Sequence, residues 1–428
     1  MSNLISNVSF FPVVATAHDE DLIDPFGMTI IDGQLWVADH GASVLTHHSA
    51  TGIKLAPTRV TPLASSLQPQ LNFWVAIINA NIAGLPLDNN NLLIALGMPV
   101  QTFVQFRNQI QAILNKQIST ISQESSSAIF KVFLDYQNAA NPLQTLNDIN
   151  TAVASFTKTT LNKASAPVTA VVANLTQGFP ISWIKTIGQP PITAASYLIA
   201  VTANGVIFGF TPLFKDSGLG IVALDRTQTG GHFTGAAIAN NNLYVTDLFS
   251  QKVLTFDNNF SLLSGFTFSD EDINNPLPAG YVPYNIVNIN GLLYVVYGKI
   301  NAQSDGTVKG PGHGFISIFD PDGQFIQRFT SQGPLNSPYS VIIAPPGFGS
   351  FAGQILVGNQ GDGLILAYNL NGTFKSTVNT AGLTPFKFPG LNGLATDGNL
   401  VYVSSSNVDQ FGFTNGLIST ISGAMVGN

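Results

Sequence analysis

Residues able to do chemistry are sparse in this chain, and the first pair stands at Asp39–His40, within "VADHGASVLTHHSATG" (Val37–Gly52). An aspartate beside a histidine can begin an acid–base pair or a metal site. Polar residues of the same kind recur downstream: Asp247, Asn285, Asp305 with His313, Ser340, Asn359 with Asp362, Asn392, and Asn407 with Asp409. Brought to one place, carboxylate and amide oxygens suit a hard cation such as Ca2+, which takes six to eight oxygen ligands. The competing reading is turn chemistry, because Asp, Asn and Gly tolerate left-handed backbone and cap their own amides. His40 and His313 are general-base candidates on this view of the site, and exposed loop histidines on the other.

Other polar clusters reduce to simpler readings. His47 and His48 are consecutive on a strand, so their side chains face opposite ways and cannot share a metal. The acidic run "HDEDLID" (His18–Asp24) reads as a solvated link. "DPDG" (Asp320–Gly323) starts like a calcium loop but lacks the downstream Glu, which leaves a hairpin turn. No phosphate-cradling Gly loop, HExxH or GxSxG motif occurs. With no cysteine in the chain, disulfide, thiolate and cysteine–zinc chemistry are excluded.

The elements that must position these residues form a repeat of roughly fifty residues, the period of propeller blades. Its copies include "DPFGMTIIDGQLWVAD", "FTGAAIANNNLYVTD", "VPYNIVNINGLLYVVY", "SPYSVIIAPPGFGSFAGQILVGN" and "FPGLNGLATDGNLVYVSS". Each has a strand, an Asn/Asp/Gly turn and a second strand, which is a hairpin signature. A third strand follows ("VLTHHSATG", "KVLTFDNNF", "GFISIFDPDGQ", "GLILAYNLNGT"), and a shorter fourth closes the unit. A sixth, degenerate copy is "SYLIAVTANGVIFGFTP", with its inner strand expected near "PISWIKTIG". In such an arrangement the loops between second and third strands share one face with the starts of the inner strands, which places the polar positions above at one channel mouth. "NLISNVSFF" has no hairpin partner nearby and "NGLISTISG" lacks a fourth strand, so residues 3–11 are expected to close blade six.

Between about residues 65 and 177 the hydrophobic period changes from 2 to 3.6. Val100, Phe103, Val104, Ile110, Leu114 and Ile118 share one helical face, as do Leu143, Leu146, Ile149, Val153 and Phe156. The expected organisation is therefore mainly β, a six-bladed β-propeller with an inserted α-helical bundle. Residues 1–64 hold blade one and the closing strand, 65–177 the bundle, and 178–428 blades two to six.

Composition narrows the function. Of 428 residues 45% are hydrophobic and only 9% charged, and the net charge is -7 with 16 Lys+Arg. Nucleic acid is not an expected partner, since binding it needs a dense basic footprint. No secretory signal and no apolar run long enough to span a membrane are read. So weakly charged a surface suits a protein that packs against neighbours.

At "DPFGMTIIDGQLWVADHG", "LPAGYVPYNIVNINGLLYVVYGK", "GPGHGFISIFDPDGQFIQRF" and "GPLNSPYSVIIAPPGFGSFAGQILVGNQGDGLILAY" the chain resembles a bacterial family of secreted six-bladed β-propellers. That family has no assigned activity and is distantly similar to NHL-repeat and paraoxonase-like propellers. The resemblance implies the fold and no catalytic residues. In paraoxonase-like propellers, oxygens at the channel mouth hold a calcium that polarises a lactone or ester carbonyl. Two function classes follow. The first is a non-catalytic binding or structural protein within an assembly or particle, a virion included, that meets a protein partner or itself through the helical insertion and carries no cofactor. The alternative is a calcium-dependent lactonase- or esterase-type hydrolase using Asp39, His40, Asp247, Asn285, His313, Asn359, Asp362 and Asn392.

Overall fold

Three two-residue turns set the hairpin register. Asp32–Gly33, Asn240–Asn241 and Asn290–Gly291 all have positive φ at both positions (52° and 68°, 47° and 59°, 53° and 86°). That is the type I′ geometry whose twist matches paired strands, and only Gly, Asn and Asp adopt it cheaply. The structure, a computed structural model, describes residues 5–9, 17–19, 22–42, 44–49, 53–55, 59–60, 167–183, 192–213, 220–226, 229–408 and 414–427.

Among these residues six sheets, antiparallel but for one parallel pair in the last, each begin with an innermost strand. One comprises β3 (Pro25–Ile31), β4 (Gln34–Asp39), β5 (Val44–Ser49) and β6 (Arg59–Val60). The next holds β7 (Val168–Ala173), β10 (Leu198–Thr202), β11 (Val206–Phe210) and β12 (Ile221–Asp225). A three-stranded sheet follows, of β13 (Phe233–Ala239), β14 (Asn242–Asp247) and β15 (Lys252–Phe256). Then come β16 (Tyr281–Ile289), β17 (Leu292–Lys299), β18 (Phe315–Phe319) and β19 (Phe325–Ser331). The fifth sheet is β20 (Pro338–Ile343), β21 (Ile355–Asn359), β22 (Ile365–Tyr368) and β23 (Phe374–Thr377). The sixth runs β24 (Leu391–Asp397), β25 (Leu400–Val408), β26 (Thr414–Ser422), β1 (Ile5–Ser9) and β2 (Ala17–His18). β1 pairs antiparallel with β26, so the first and last strands share a sheet and cover its edge.

The six inner strands meet in a closed cycle, β3–β7–β13–β16–β20–β24 and back to β3, a β-propeller-like arrangement. The core lies in wedges between neighbouring sheets. Trp36, Leu45, Val171, Leu198 and Phe208 fill one wedge, and Leu356, Ile365, Leu394, Val401 and Ile421 another. Strands buried on both faces read as near-continuous apolar runs, which is why "LWVAD" and "LLYVVY" show little alternation.

Chain contacts divide the molecule into two units, residues 1–59, 167–180 and 195–428 in the first and 60–166 and 181–194 in the second. Described residues of the second include most of a two-stranded sheet of β8 (Pro180–Trp183) and β9 (Ile192–Ala195), whose end residues Pro180 and Ala195 fall in the first. Two sequence expectations change here. The helical bundle expected over 65–177 falls outside the described residues except for 167–177, and those hold strand β7, not helix. Consequently the innermost strand of the second sheet is "VTAVVA", and "PISWIKTIG" supplies β8 instead. The β-branched pairs of that stretch favour a strand, and β10 pairs with it directly.

Candidate functional site: the channel and its closed end

Every inner strand carries one extra residue near its start. The register jumps between Pro25 and Met28, Val168 and Ala170, Phe233 and Gly235, Pro283 and Asn285, Pro338 and Ser340, and Leu391 and Gly393. A β-bulge re-aims the side chain of the residue it leaves unpaired. Here those residues are Phe26, Thr169, Thr234, Tyr284, Tyr339 and Asn392, one per sheet.

Together they shut one end of the channel. Tyr339 Oη donates to the carbonyls of Thr169 (3.0 Å) and Thr234 (2.6 Å), reaching from the fifth sheet to the second and third. Its ring meets Phe26 and Tyr284 edge-on at centroid distances of 5.5 and 5.6 Å. Burial pushes the Tyr284 hydroxyl up to about 12 and that of Tyr339 well above its ordinary range, so both remain neutral donors.

Side chains at the same level staple sheet to sheet. Thr169 Oγ1 donates to Phe233 O (2.8 Å), Asn285 Nδ2 to Tyr339 O (2.7 Å), Ser340 Oγ to Asn392 O (2.5 Å) and Asn392 Nδ2 to Pro25 O (2.9 Å). Thr246 Oγ1 reaches Tyr284 O at 3.4 Å. Between the first two sheets the backbones themselves close up: a Cβ on Gly27 would stand 3.0 Å from Ala170 Cα. Asn285 and Asn392, expected as ligand-binding, are thus inter-sheet fasteners. Asn392 Oδ1 also accepts from Gln360 Nε2 at 2.7 Å.

The other expected site residues lie on the same face, and their polar atoms are engaged by nearby chain. Asp247 accepts from the amides of His232 (2.7 Å), Phe249 (3.2 Å) and Ser250 (3.3 Å) and from Ser250 Oγ (2.7 Å). Asn359 accepts from Asn336 N (3.1 Å) and donates to Pro334 O (2.9 Å). Asp362 accepts from Leu364 N (3.1 Å) and Asn336 Nδ2 (3.2 Å). Asp39 is fully buried and accepts from Thr46 Oγ1 at 2.5 Å. His313 Nδ1 lies 3.2 Å from Val308 O, and Asp305 pairs with Asn301. Of Asn407 the backbone pairing alone is described, and Asp409 is outside the described residues.

Two histidines differ from expectation. His40 is part-buried, with Nδ1 3.0 Å from Asp24 Oδ2 and its ring 5.0 Å from Phe26. Burial would raise the pKa of Asp24, but His40, Ser406 and Lys309 outweigh it and hold the carboxyl below its usual range. His48 Nε2 contacts Asp19 Oδ2 at 2.9 Å, and Lys54 Nζ contacts the other oxygen at 2.5 Å. Within the run His18–Asp24, expected as a solvated link, Asp19 is buried, 2% exposed. His47 stacks on Trp36 at 4.2 Å, on the opposite strand face from His48, as alternation requires. Asp24, Tyr284 and Tyr339 were missed as site residues; the recurring Pro–aromatic pairs Pro25–Phe26, Pro283–Tyr284 and Pro338–Tyr339 were the available signal.

Beyond the plug a channel of about 380 Å3 runs along the inner strands to their ends at Thr29, Asn288, Ile342 and Thr396. Of the eight expected site residues Asn285 alone lines it. Among the described residues no three His, Asp or Glu are grouped to hold a metal ion.

No family model matches the chain. Relatives do. It is 35% identical over 268 residues to one uncharacterised protein of Acanthamoeba polyphaga mimivirus, covering 61% of this chain and 65% of that one. To a second such mimivirus protein it is 35% identical over 259 residues, covering 59% and 67%. The chain belongs to the family of these mimivirus proteins. A third member matches over 202 residues, 47% of this chain and 38% of its own length. The matched relatives are viral, so the bacterial source implied by the sequence resemblance finds no support among them. Solved structures give looser likenesses: virginiamycin B lyase from Staphylococcus aureus at TM-score 0.37 and 11% identity, covering 94% of this chain and 96% of that one. A nidogen/laminin complex follows at TM-score 0.34 and 14% identity, covering 58% and 88%. The fold of this mimivirus-family chain rests on its own strand pairing. Among the described residues no helix is long and apolar enough to cross a membrane.

Proposed function

We propose that this chain is a non-catalytic binding or structural protein built on a six-bladed β-propeller, and that it works within a viral assembly. The observation that carries this reading is the engagement of the mouth residues. Asp247, Asn285, Asn359, Asp362 and Asn392 use their polar atoms on backbone and neighbouring side chains. A catalytic group must instead keep a proton or lone pair for substrate. Six sheets, one cycle of inner strands and one bulge per sheet support the count of blades. A chain with only 9% charged residues supports packing against other proteins, and relatives from a giant virus support a particle component. Partner binding through residues 65–177 remains part of the proposal.

One observation favours the alternative hydrolase: Asp24–His40 forms an acid–base pair on the closed face, near Tyr284. Incubating the purified protein with lactones and aryl esters, with and without millimolar calcium, separates the two. The binding reading expects no turnover above buffer. Turnover that disappears in His40→Ala would replace it with the hydrolase.

A further inference from the structure

Among the described residues the channel has one shut end and one open end, and its walls carry no charge. Tyr339, Phe26 and Tyr284 block it where the inner strands begin. Thr169, Thr234, Tyr339 and Asn392 near the strand starts are buried, whereas Ile238, Ile342 and Thr396 near the ends of their strands are partly exposed. No Asp, Glu, Lys, Arg or His lines the cavity among the described residues. Small residues such as Ala170, Ala236 and Gly393 keep it wide. Each inner strand is the last of its sheet on the channel side, so it presents backbone N–H and C=O groups that its own sheet does not pair. Such groups need partners from water or a ligand.

We propose that this channel is a binding pocket, opened on the face of the hairpin turns, for a neutral hydroxyl-rich small molecule such as a sugar or cyclic polyol. The inference rests on the reading of the protein as a binding module and names the ligand class. A hydroxyl both donates and accepts, which matches walls that alternate N–H and C=O. Thr29 and Thr396 add polar groups at the open rim, while the partly exposed Val172, Ile238 and Val287 supply apolar contact for the carbon face of a ring. Charged ligands would be desolvated there without a counter-charge. The volume lies within the ordinary range of small-molecule sites, roughly 300–1,000 Å3.

Saturation-transfer NMR titrations of the full chain with glucose and myo-inositol, against gluconate and glucosamine, test this. Saturable binding of a neutral probe with Kd at or below about 1 mM is expected, with the charged counterparts at least about tenfold weaker. Thr29→Trp and Thr396→Trp, both at the open rim, should each weaken binding about tenfold or more while the melting temperature holds; Asp362→Ala, on the closed face, should leave it unchanged. If one tryptophan variant fails to fold, the other decides. No binding of either neutral probe, equal binding of charged ones, or binding untouched by a blocked rim overturns the pocket while leaving the non-catalytic reading standing. Chemical conversion of a bound probe would instead overturn that reading.

Discussion

Tyr339 shows how one side chain can decide which end of a channel is open. Its single hydroxyl proton is shared between two buried carbonyls from two other sheets, with the shorter contact to Thr234 O. Tyr339→Phe leaves both carbonyls without that donor, and is expected to cost about 1–3 kcal/mol in urea unfolding. An unchanged midpoint would show that the hydroxyl does not bridge the channel. A second residue-scale expectation concerns Asp270, which takes two bonds from Arg328 (2.6 and 2.8 Å) and one from Ser317. Burial alone would raise its pKa; Arg328 and Ser317 reverse this and hold it below the usual carboxylate range. A folded pKa below the unfolded one gives stability that is present above about pH 4 and lost as pH falls through the folded value. Asp270→Asn should flatten that acid limb and cost about 3–5 kcal/mol at pH 7, because Arg328 is left buried without its partner. A wild-type acid profile in the variant would contradict the assignment.

At the scale of elements, hairpins were readable because their turns demand particular residues: Asp32–Gly33 and Asn290–Gly291 announce left-handed backbone directly. The bulges were not readable, since one extra residue in a strand leaves the apolar pattern nearly intact on either side. Without them, nothing in the sequence shows that Asn285 and Asn392 also fasten sheet to sheet. They sit where the expected mouth should be, but the bulge turns Tyr284 and Tyr339 inward beside them and makes that end the floor. Strand β7 was hidden for a related reason, lying at the tail of a long stretch whose apolar spacing reads as helix. The pairing of β1 with β26 was legible from two strands that each lacked a partner in sequence. Starting the chain at Leu22 removes β1, β2 and Asp19, which exposes β26 as an edge and strips His48 and Lys54 of their carboxylate. The truncated protein is expected to lose several kcal/mol and to aggregate more readily. Melting at the full-length temperature would show that the ends contribute nothing to closure.

Over the whole molecule, the same geometry that joins six sheets consumes the polar groups on one face. Staples at Thr169, Asn285, Ser340 and Asn392 run around the ring from one sheet to the next. Loop carboxylates at Asp247 and Asp362 hold backbone amides. On the proposed binding-protein reading, this face is structural and binds no calcium. A cation that bound only the folded chain would add about 2.7 kcal/mol at one hundred times its Kd. The most direct test is calorimetric melting of metal-free protein with and without millimolar calcium. The expected shift is less than about a degree, since no cation is linked to folding on this reading. A rise of several degrees that vanishes in Asp362→Ala or Asn285→Ala would contradict it.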